Sequence, residues 1–240
     1  MAYVSGKDLA YMLFDGVDVA ISNNQLEIVD EAVIARRRPF GNSYPKAIPT
    51  GQYEGSMTLS GWLDTNTEPQ LARLTGDEKI VSALVEGNTR GVGFWGLQKA
   101  YVAGRKLGIT EDDIHSLDPT ISVEGPVNYG LVVADYVERG AAGNTDAQYV
   151  DLGGAAAGGG VAYLHVGNLD LGGGTKCVVK LRDSADHTTF ADKATFADIT
   201  TVGAQTITVA GPLKRYLSIS WAWTGGASQK ITCFVGVAVD

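Results

Sequence analysis

The sequence predicts a mainly β protein, on three observations. Apolar and polar residues alternate with period two in many short runs, and glycine is abundant at 31 residues while proline is sparse at 7. Tight turns between half-buried strands produce such a pattern. The clearest case is the segment 214–239, which predicts two strands joined by the turn TGGASQ. Its apolar faces hold Leu217, Ile219, Trp221 and Trp223, then Ile231, Cys233, Val235, Val237 and Val239.

The first 140 residues predict a β-barrel or sandwich. Apolar residues 11–14 precede Asp15-Gly16, a dipeptide typical of two-residue hairpin turns. Between Arg36 and Gly51, three prolines and several turn residues predict a long exposed loop. The predicted strands of this half are 17–21, 25–29, 32–35, 56–63, 92–97, 100–102, 120–124 and 129–133.

One α-helix is predicted to pack on this first sheet. Asn66 or Thr67 can cap it, Pro69 suits its first turn, and Gly87 can end it. The apolar residues that are spaced helically are Leu71, Leu74, Ile80, Val81 and Leu84. A further short helical turn is predicted at 110–113.

The second half predicts a separate β-sandwich of the jelly-roll or immunoglobulin-like kind. The segment 138–146, ERGAAGNTD, is small and polar and suits a linker. We therefore expect one domain at 1–140 and a second domain at 147–240. The strands predicted for the second domain, whose number and spacing are typical of a sandwich, are 149–152, 161–166, 176–182, 190–196, 205–209, 216–223 and 230–239.

Composition limits the function. The 240 residues carry a formal net charge of −8, which disfavours tight binding to nucleic acid phosphates. No apolar run is long enough to span a membrane, and the N-terminal segment does not read as a signal peptide. Cys177 and Cys233 fall on apolar strand faces, so buried free thiols are favoured over a disulfide.

The sequence offers no convincing catalytic or cofactor site. Gly91 to Gly96 match G-x-G-x-x-G, but a predicted helix precedes the motif and a strand follows it, the reverse of a dinucleotide-binding unit. We expect a bent strand with close backbone contact instead. No nucleophile elbow is present, and Asp112 and Asp113 are adjacent, so they point apart. An enzyme is therefore not expected.

Metal sites are equally weakly indicated. His115 lies close in sequence to Asp112 and Asp113 in a predicted helical turn. Two carboxylates and one histidine so close together indicate a solvated helix end more than a metal site. Asp183, Asp186 and His187 share another turn, but a calcium site needs more oxygen ligands than this. The alternation at His165 predicts a surface position. We expect no metal and no cofactor.

Arg36, Arg37 and Arg38 form the one concentrated basic patch. Guanidinium groups pair well with carboxylates, so a docking contact with a neighbouring subunit is one interpretation and a solvated loop the other. The predicted contact residues between subunits are Arg36, Arg37, Arg38, Phe40 and Tyr44.

Two segments of the first half resemble the N-terminal region of tail-tube proteins of tailed bacteriophages: LFDG at 13–16 and GSMTLSGWLD at 55–64. The segment 92–124, with ISVE at 121–124, is also similar. Phe14 and Trp62 stand at variable apolar positions, and the three arginines are more basic than the family pattern. The segments that resemble a module common on phage structural proteins are 162–166, 179–186 and 215–221.

The resemblance implies a major tail protein of the virion, made in the cytoplasm of the host bacterium. Such subunits form rings, commonly hexameric, that stack into a tube through which the genome DNA passes without specific binding. Its partners would be further copies of itself and other tail proteins, with no membrane. Edge strands completed by neighbours in a closed ring are consistent with this.

Two alternatives stay open at the level of sequence. The chain could be a capsid decoration protein or another head or tail component built from the same modules. A carbohydrate-binding β-sandwich is also conceivable, given Tyr216, Trp221 and Trp223, although both tryptophans fall on the predicted core face.

Overall fold

The structure is a computed structural model, and it describes residues 10–19, 23–37, 46–62, 76–108 and 116–239. Within these ranges the chain is built almost entirely of antiparallel strands, which confirms the predicted mainly β class. The strands are β1 Tyr11–Phe14, β2 Val17–Asp18, β3 Asn23–Arg37, β4 Lys46–Trp62, β5 Lys79–Leu84, β6 Gly93–Gly108, β7 Ser116–Glu124, β8 Val127–Arg139, β9 Gly143–Asn144, β10 Val150–Asp151, β11 Gly159–Asp170, β12 Lys176–Ser184, β13 Ala191–Thr195, β14 Gly203–Ala210, β15 Tyr216–Thr224 and β16 Lys230–Val239.

The predicted helix is wrong over its second half. Ile80, Val81 and Leu84 lie in β5, which pairs antiparallel with β1 so that Val81 faces Phe14 and Leu84 faces Tyr11. Pairing with a neighbouring strand decides the conformation of this short apolar run, whose periodicity suits either structure. The described residues contain no α-helix, while Leu71 and Leu74 and the predicted turn at 110–113 lie outside them.

The chain divides into two compact units. Unit 1 comprises Met1–Ile21, Ile80–Gly96 and Asn128–Asp240, and unit 2 comprises Ser22–Lys79 and Leu97–Val127. This division cuts across the expected domains 1–140 and 147–240. Its physical reason is that β8, which lies within 1–140, pairs with β16, which lies within 147–240, as in Val137 opposite Cys233.

The segment predicted as a linker, 138–146, carries secondary structure instead. Glu138 and Arg139 belong to β8, and Gly143–Asn144 form β9, which pairs with β15. A single 3₁₀ turn follows at Asp146–Gln148. The small residues of this segment permit close approach, since a Cβ on Gly143 would lie 3.0 Å from the Trp221 ring.

Unit 1 contains two sheets. The first has the strand order β14-β11-β16-β8-β6-β5-β1-β2, to which β6 contributes its first residues. The second has the order β10-β15-β12-β13, with β9 also pairing β15. The hairpin at Asp15-Gly16 is confirmed: it joins β1 to β2 with φ of 49° and 86°, as a tight hairpin turn requires.

The main core of unit 1 lies between the two sheets, as the sandwich prediction requires. Cys177, Val179 and Leu181 of β12 and Leu217 and Ile219 of β15 meet side chains from the first sheet. Burying a side chain of this size stabilises the fold by roughly 1.5–3 kcal/mol. The first sheet contributes Val133, Ala134, Ala162, Leu164, Val166, Val209, Ile231, Cys233, Val235 and Val237.

The opposite face of β16 is also buried, whereas a strand at the surface of a sandwich would expose this face to solvent. Phe234 and Ala238 pack in a second core with Leu84, Phe94 and Tyr163. Phe94 sits at the centre of this core, with its ring 5.3 Å from that of Phe234 and 5.5 Å from that of Tyr163. β16 is therefore buried on both faces between its two ends, where Lys230 and Val239 are exposed.

Unit 2 is a four-stranded antiparallel sheet with the order β3-β4-β7-β6. Met57 and Ile121 lie opposite each other on β4 and β7 and are fully buried. The loop predicted between Arg36 and Gly51 is wrong at both ends, because Arg36 and Arg37 end β3 and the stretch 46–51 opens β4. The residues between these strands, 38–45, lie outside the described part of the chain.

Candidate functional site: an assembly arm and an exposed ring cluster

Two of the predicted contact residues lie at the end of a long strand. Arg36 and Arg37 are the last residues of β3. Arg38, Phe40 and Tyr44 lie outside the described residues, so their prediction stays untested.

The hairpin reaches well beyond the sheet of unit 2. β4 pairs with β7 from Glu54 to Trp62, whereas its earlier residues, 46–53, pair within the described chain with β3 alone. Opposite them lie residues 32–37 of β3. We call residues 32–37 and 46–53 the arm. A two-stranded ribbon is marginally stable by itself in water, so an arm of this kind favours a neighbour that completes it.

Register concentrates positive charge at the end of the arm. Arg37 pairs with Lys46, and Arg36 pairs with Ala47. Arg36, Arg37 and Lys46 therefore lie at the same end of the arm, and Arg38 follows Arg37 in sequence. The chain as a whole carries a net charge of −8. Sequence reasoning found the arginines but missed Lys46, because only the pairing register of β3 with β4 brings it beside them.

The arm also contains an irregularity. The register shifts between Ala32 and Ile34, where the partner jumps from Tyr53 to Pro49. Bulges and prolines are typical of edge strands, where they bend the ribbon and limit uncontrolled pairing. The register shift therefore separates the distal part of the arm, residues 34–37 and 46–49, from the part of β4 that pairs with β7.

The G-x-G-x-x-G match is a packing motif, as predicted. A Cβ on Gly96 would lie 2.6 Å from the Tyr163 ring, and one on Gly93 would lie 2.1 Å from the Tyr129 hydroxyl. Gly93 and Gly96 lie in a strand, with no helix opening after them. The glycines let two tyrosine rings rest on the backbone of β6.

His165 is buried, which corrects the predicted surface position. Its Nδ1 accepts a hydrogen bond from the Gly16 N–H at 3.2 Å, and its Nε2 lies 3.0 Å from the Ser82 hydroxyl. Because the imidazole is completely desolvated, its pKa is lowered to about 3 and the ring is neutral. Strand alternation did not reveal this because β11, like β16, is covered on both faces.

The turn with Asp183, Asp186 and His187 uses its carboxylates internally. Asp186 Oδ1 accepts hydrogen bonds from the Ser184 hydroxyl at 2.8 Å and from the Thr189 N–H at 2.8 Å. These bonds hold the pKa of the Asp186 carboxyl well below its usual range. Asp183 is buried and accepts from the Lys214 N–H at 3.2 Å. The two carboxylates thus shape the turn.

The same turn presents His187 to two tyrosines. The His187 ring stacks on Tyr149 at 5.4 Å with an interplanar angle of 28°, and it meets the edge of Tyr216 at 5.3 Å. Tyr149 and Tyr216 are 5.0 Å apart in a T-shaped arrangement. We call Tyr149, His187 and Tyr216 the ring cluster. Tyr149 is 37% exposed and His187 is exposed as well.

Trp221 and Trp223 are structural, as their predicted core face requires. The indole N–H of Trp221 donates to the Ala141 carbonyl at 2.8 Å, and that of Trp223 donates to the Gly140 carbonyl at 2.8 Å. Arg139, itself buried, lies 5.7 Å above the Trp221 ring. Through these hydrogen bonds the two tryptophans of β15 hold Gly140 and Ala141, which follow β8, against β15.

In the described ranges, no group of three or more His, Cys, Asp or Glu side chains is arranged to hold a metal ion. Across the same ranges, no helix has the length and apolarity to cross a membrane. Cys177 and Cys233 are buried free thiols, as expected.

No protein-family model matches the sequence, and no curated protein matches it. The fold is similar to a chain of the virion of a native gene transfer agent particle, with a TM-score of 0.41 and 11% identity over 52% of this chain and 97% of that chain. It is similar to the tail of an empty gene transfer agent particle of C6 symmetry, with a TM-score of 0.43 and 12% identity over the same shares. The crystallised SPP1 Dit protein, described as a hub of the adsorption apparatus of phages that infect Gram-positive bacteria, is similar over 94% of this chain and 97% of its own, with a TM-score of 0.36 and 12% identity. These structural neighbours are thus parts of a virion, a tail and a hub.

Proposed function

We propose that this protein is a structural subunit of a phage-like virion tail, and more specifically a tail-tube protein that polymerises into stacked six-membered rings.

 The observation that carries this proposal is the arm, a two-stranded ribbon whose residues 46–53 extend past β7. A ribbon with open edges gains most of its stability when a neighbouring copy pairs with it or packs on it. The residue-level resemblance of 13–16 and 55–64 to tail-tube proteins supports the same assignment.

The charge distribution supports docking between copies. Arg36, Arg37 and Lys46 gather at the arm tip, while the whole chain carries a net charge of −8. A basic tip on an acidic molecule is complementary to an acidic surface of a second copy, and such complementarity sets orientation and register. In this proposal a closed ring removes the open edges, and the acidic balance lets genome DNA pass without specific binding.

The proposal describes assembly and not catalysis. In unit 1, Asp186 accepts hydrogen bonds within its own turn, and both nitrogens of His165 face hydrogen-bond partners in the core. The protein acts in the virion by contact with copies of itself and with other tail proteins. The outer contribution of residues 147–240, as a decoration of the tube, belongs to the same proposal.

Electron microscopy of the purified full chain at high concentration tests this function. We expect rings or tubes with a repeating subunit spacing, and six-fold symmetry in end views. A protein that stays monomeric under all conditions, or that binds only to capsids as monomers or trimers, overturns the tail-tube proposal. The second outcome would instead identify a capsid decoration protein.

A further inference from the structure

The ring cluster has the features of a ligand-binding surface, and it plays no part in the proposed assembly through the arm. Tyr149 contacts three other aromatic rings and His187 contacts two, and both residues still keep more than a third of their surface open. Large rings left exposed on a folded protein are typical of recognition surfaces. All three members belong to unit 1, so the surface is formed within one compact unit.

The polar ends of these rings are unused. Within the described residues, neither the Tyr149 and Tyr216 hydroxyls nor the His187 nitrogens make a hydrogen bond to the protein. A phenol can both donate and accept, and a neutral imidazole does the same through its two nitrogens. The surface thus combines aromatic faces with four hydrogen-bonding atoms that are available to a ligand.

Hydrogen bonds from the following backbone to Asp186 hold His187 in an uncommon backbone conformation. His187 has a φ of 54°, a conformation that is uncommon for residues other than glycine. The Asp186 carboxylate stabilises it by accepting hydrogen bonds from the Thr188 N–H at 3.0 Å and the Thr189 N–H at 2.8 Å. Residues held in sparsely populated backbone conformations occur preferentially at functional sites. The ring is therefore fixed before any ligand arrives, which lowers the entropic cost of binding.

The charges beside the cluster are already paired. Arg215 lies 5.1 Å over the Tyr216 ring and donates to both carboxylate oxygens of Asp151, at 2.7 Å each. This bidentate bond lowers the pKa of Asp151 to about 2, so the carboxylate stays ionised and matched to the guanidinium. The surroundings therefore favour an uncharged ligand over an anion or a cation.

From these observations we infer that the ring cluster binds a neutral carbohydrate. A sugar ring offers an apolar C–H face that can lie on an aromatic ring and hydroxyl groups that both donate and accept hydrogen bonds. The open faces of Tyr149 and His187 fit the first property, and the free ends of the three rings fit the second. This assignment keeps Tyr216 from the residues that sequence alone suggested. It replaces Trp221 and Trp223, whose indole N–H groups donate to backbone carbonyls, with Tyr149 and His187.

The test uses the full chain and a panel of neutral oligosaccharides containing glucose, galactose, mannose or N-acetylglucosamine, with binding measured by saturation-transfer NMR and calorimetry. We expect at least one member of the panel to bind with a Kd of about 1 mM or tighter. His187→Gly removes the ring and suits the backbone φ of 54°, so it should weaken binding at least tenfold with an unchanged or higher Tm. Tyr149→Ala should weaken binding to a similar extent.

The matched control is Tyr129→Ala, which removes a tyrosine that is 49% exposed and contacts Trp95 away from the ring cluster. It should leave carbohydrate binding unchanged. The inference is overturned if no neutral sugar binds at millimolar concentration, if only anionic saccharides bind, or if His187→Gly and Tyr149→Ala bind as well as the parent protein. A loss of ring or tube assembly in His187→Gly without any sugar binding would also overturn it, in favour of a protein contact.

Discussion

His165 illustrates how one buried residue ties local chemistry to the stability of the molecule. Its two ring nitrogens meet the Gly16 N–H and the Ser82 hydroxyl inside unit 1, and it has no contact with solvent. Protonation would place a charge in this site and would turn Nδ1 from an acceptor into a donor facing another donor. The neutral ring is therefore strongly favoured in the folded state.

Stability should consequently fall as the pH is lowered through 6.5. The pKa of His165 is about 3 in the folded protein, and an unfolded histidine has a model value of 6.5. The unfolded chain therefore binds the additional proton between these two values, and the stabilising effect is complete only above pH 6.5. Between pH 7.5 and pH 5 we expect a loss of about 2 kcal/mol in the free energy of unfolding.

Denaturant unfolding at several pH values between 5 and 7.5 measures this effect. His165→Gln should flatten the pH dependence, whereas His187→Gln, at an exposed site, should keep the slope of the parent protein. Asp151 and Asp186 have lowered pKa values, so their contribution is lost only at more acidic pH and does not enter this range. An equal slope in the His165→Gln variant would contradict the assignment to His165.

At the scale of elements, the arm is the feature that most needs a partner. Its tip carries Arg36, Arg37 and Lys46 by register, and the part of the chain described beside it shows no third strand. Exposed ion pairs contribute little to the stability of one subunit, but charges at an interface influence encounter and register. Charge reversal at the tip should therefore affect assembly much more than folding.

The double variant Arg36→Glu with Arg37→Glu tests this expectation. We predict at least a tenfold lower yield of rings or tubes by sedimentation and electron microscopy. The Tm should stay within about 2 °C of the parent, because Arg36 and Arg37 lie at the end of β3, beyond the residues of β4 that pair with β7. The matched control is Lys176→Glu with Lys180→Glu, which changes net charge equally on β12, where both lysines form exposed ion pairs. Equal assembly of both variants and the parent protein would remove the docking role.

Elements with a strong local signal were predictable from sequence. The bounds of β16 match the predicted 230–239, and Asp15-Gly16 forms the expected hairpin turn. The helix prediction failed at Ile80, Val81 and Leu84 because a short apolar run fits either structure, and its pairing with β1 is a contact distant in sequence. The ring cluster was missed for the same reason, since β10, the turn at His187 and β15 meet only in the folded chain.

For the whole molecule, the position of β16 determines which pieces can fold. β16 lies between β11 and β8 in the first sheet, and its side chains enter both cores of unit 1. The pairing of β16 with β8 places Cys233 opposite Val137, and the Arg139 guanidinium of β8 donates a hydrogen bond to the Cys233 carbonyl at 2.8 Å, across 94 positions in sequence. A sequence-based division near residue 140 separates these partners.

We therefore predict that neither fragment 1–140 nor fragment 147–240 unfolds cooperatively by itself. Each fragment lacks the strands that the other fragment contributes to the shared sheet and core. Mixing the two fragments should restore a cooperative transition, provided that both stay soluble. Circular dichroism melts and dispersion of NMR amide signals measure this. A cooperative transition in isolated 147–240 would show that the second half is an independent domain after all.

The two thiols give this molecule an internal chemical reporter. Cys177 lies on β12 and Cys233 on β16, so they come from the two sheets that face each other across the main core. Burial raises the pKa of the Cys177 thiol to about 12 and raises that of Cys233 as well, so neither forms the reactive thiolate while the sheets stay together. The rate at which a maleimide labels the native protein thus reads out how often the sandwich opens, with no dye or engineered residue added beforehand.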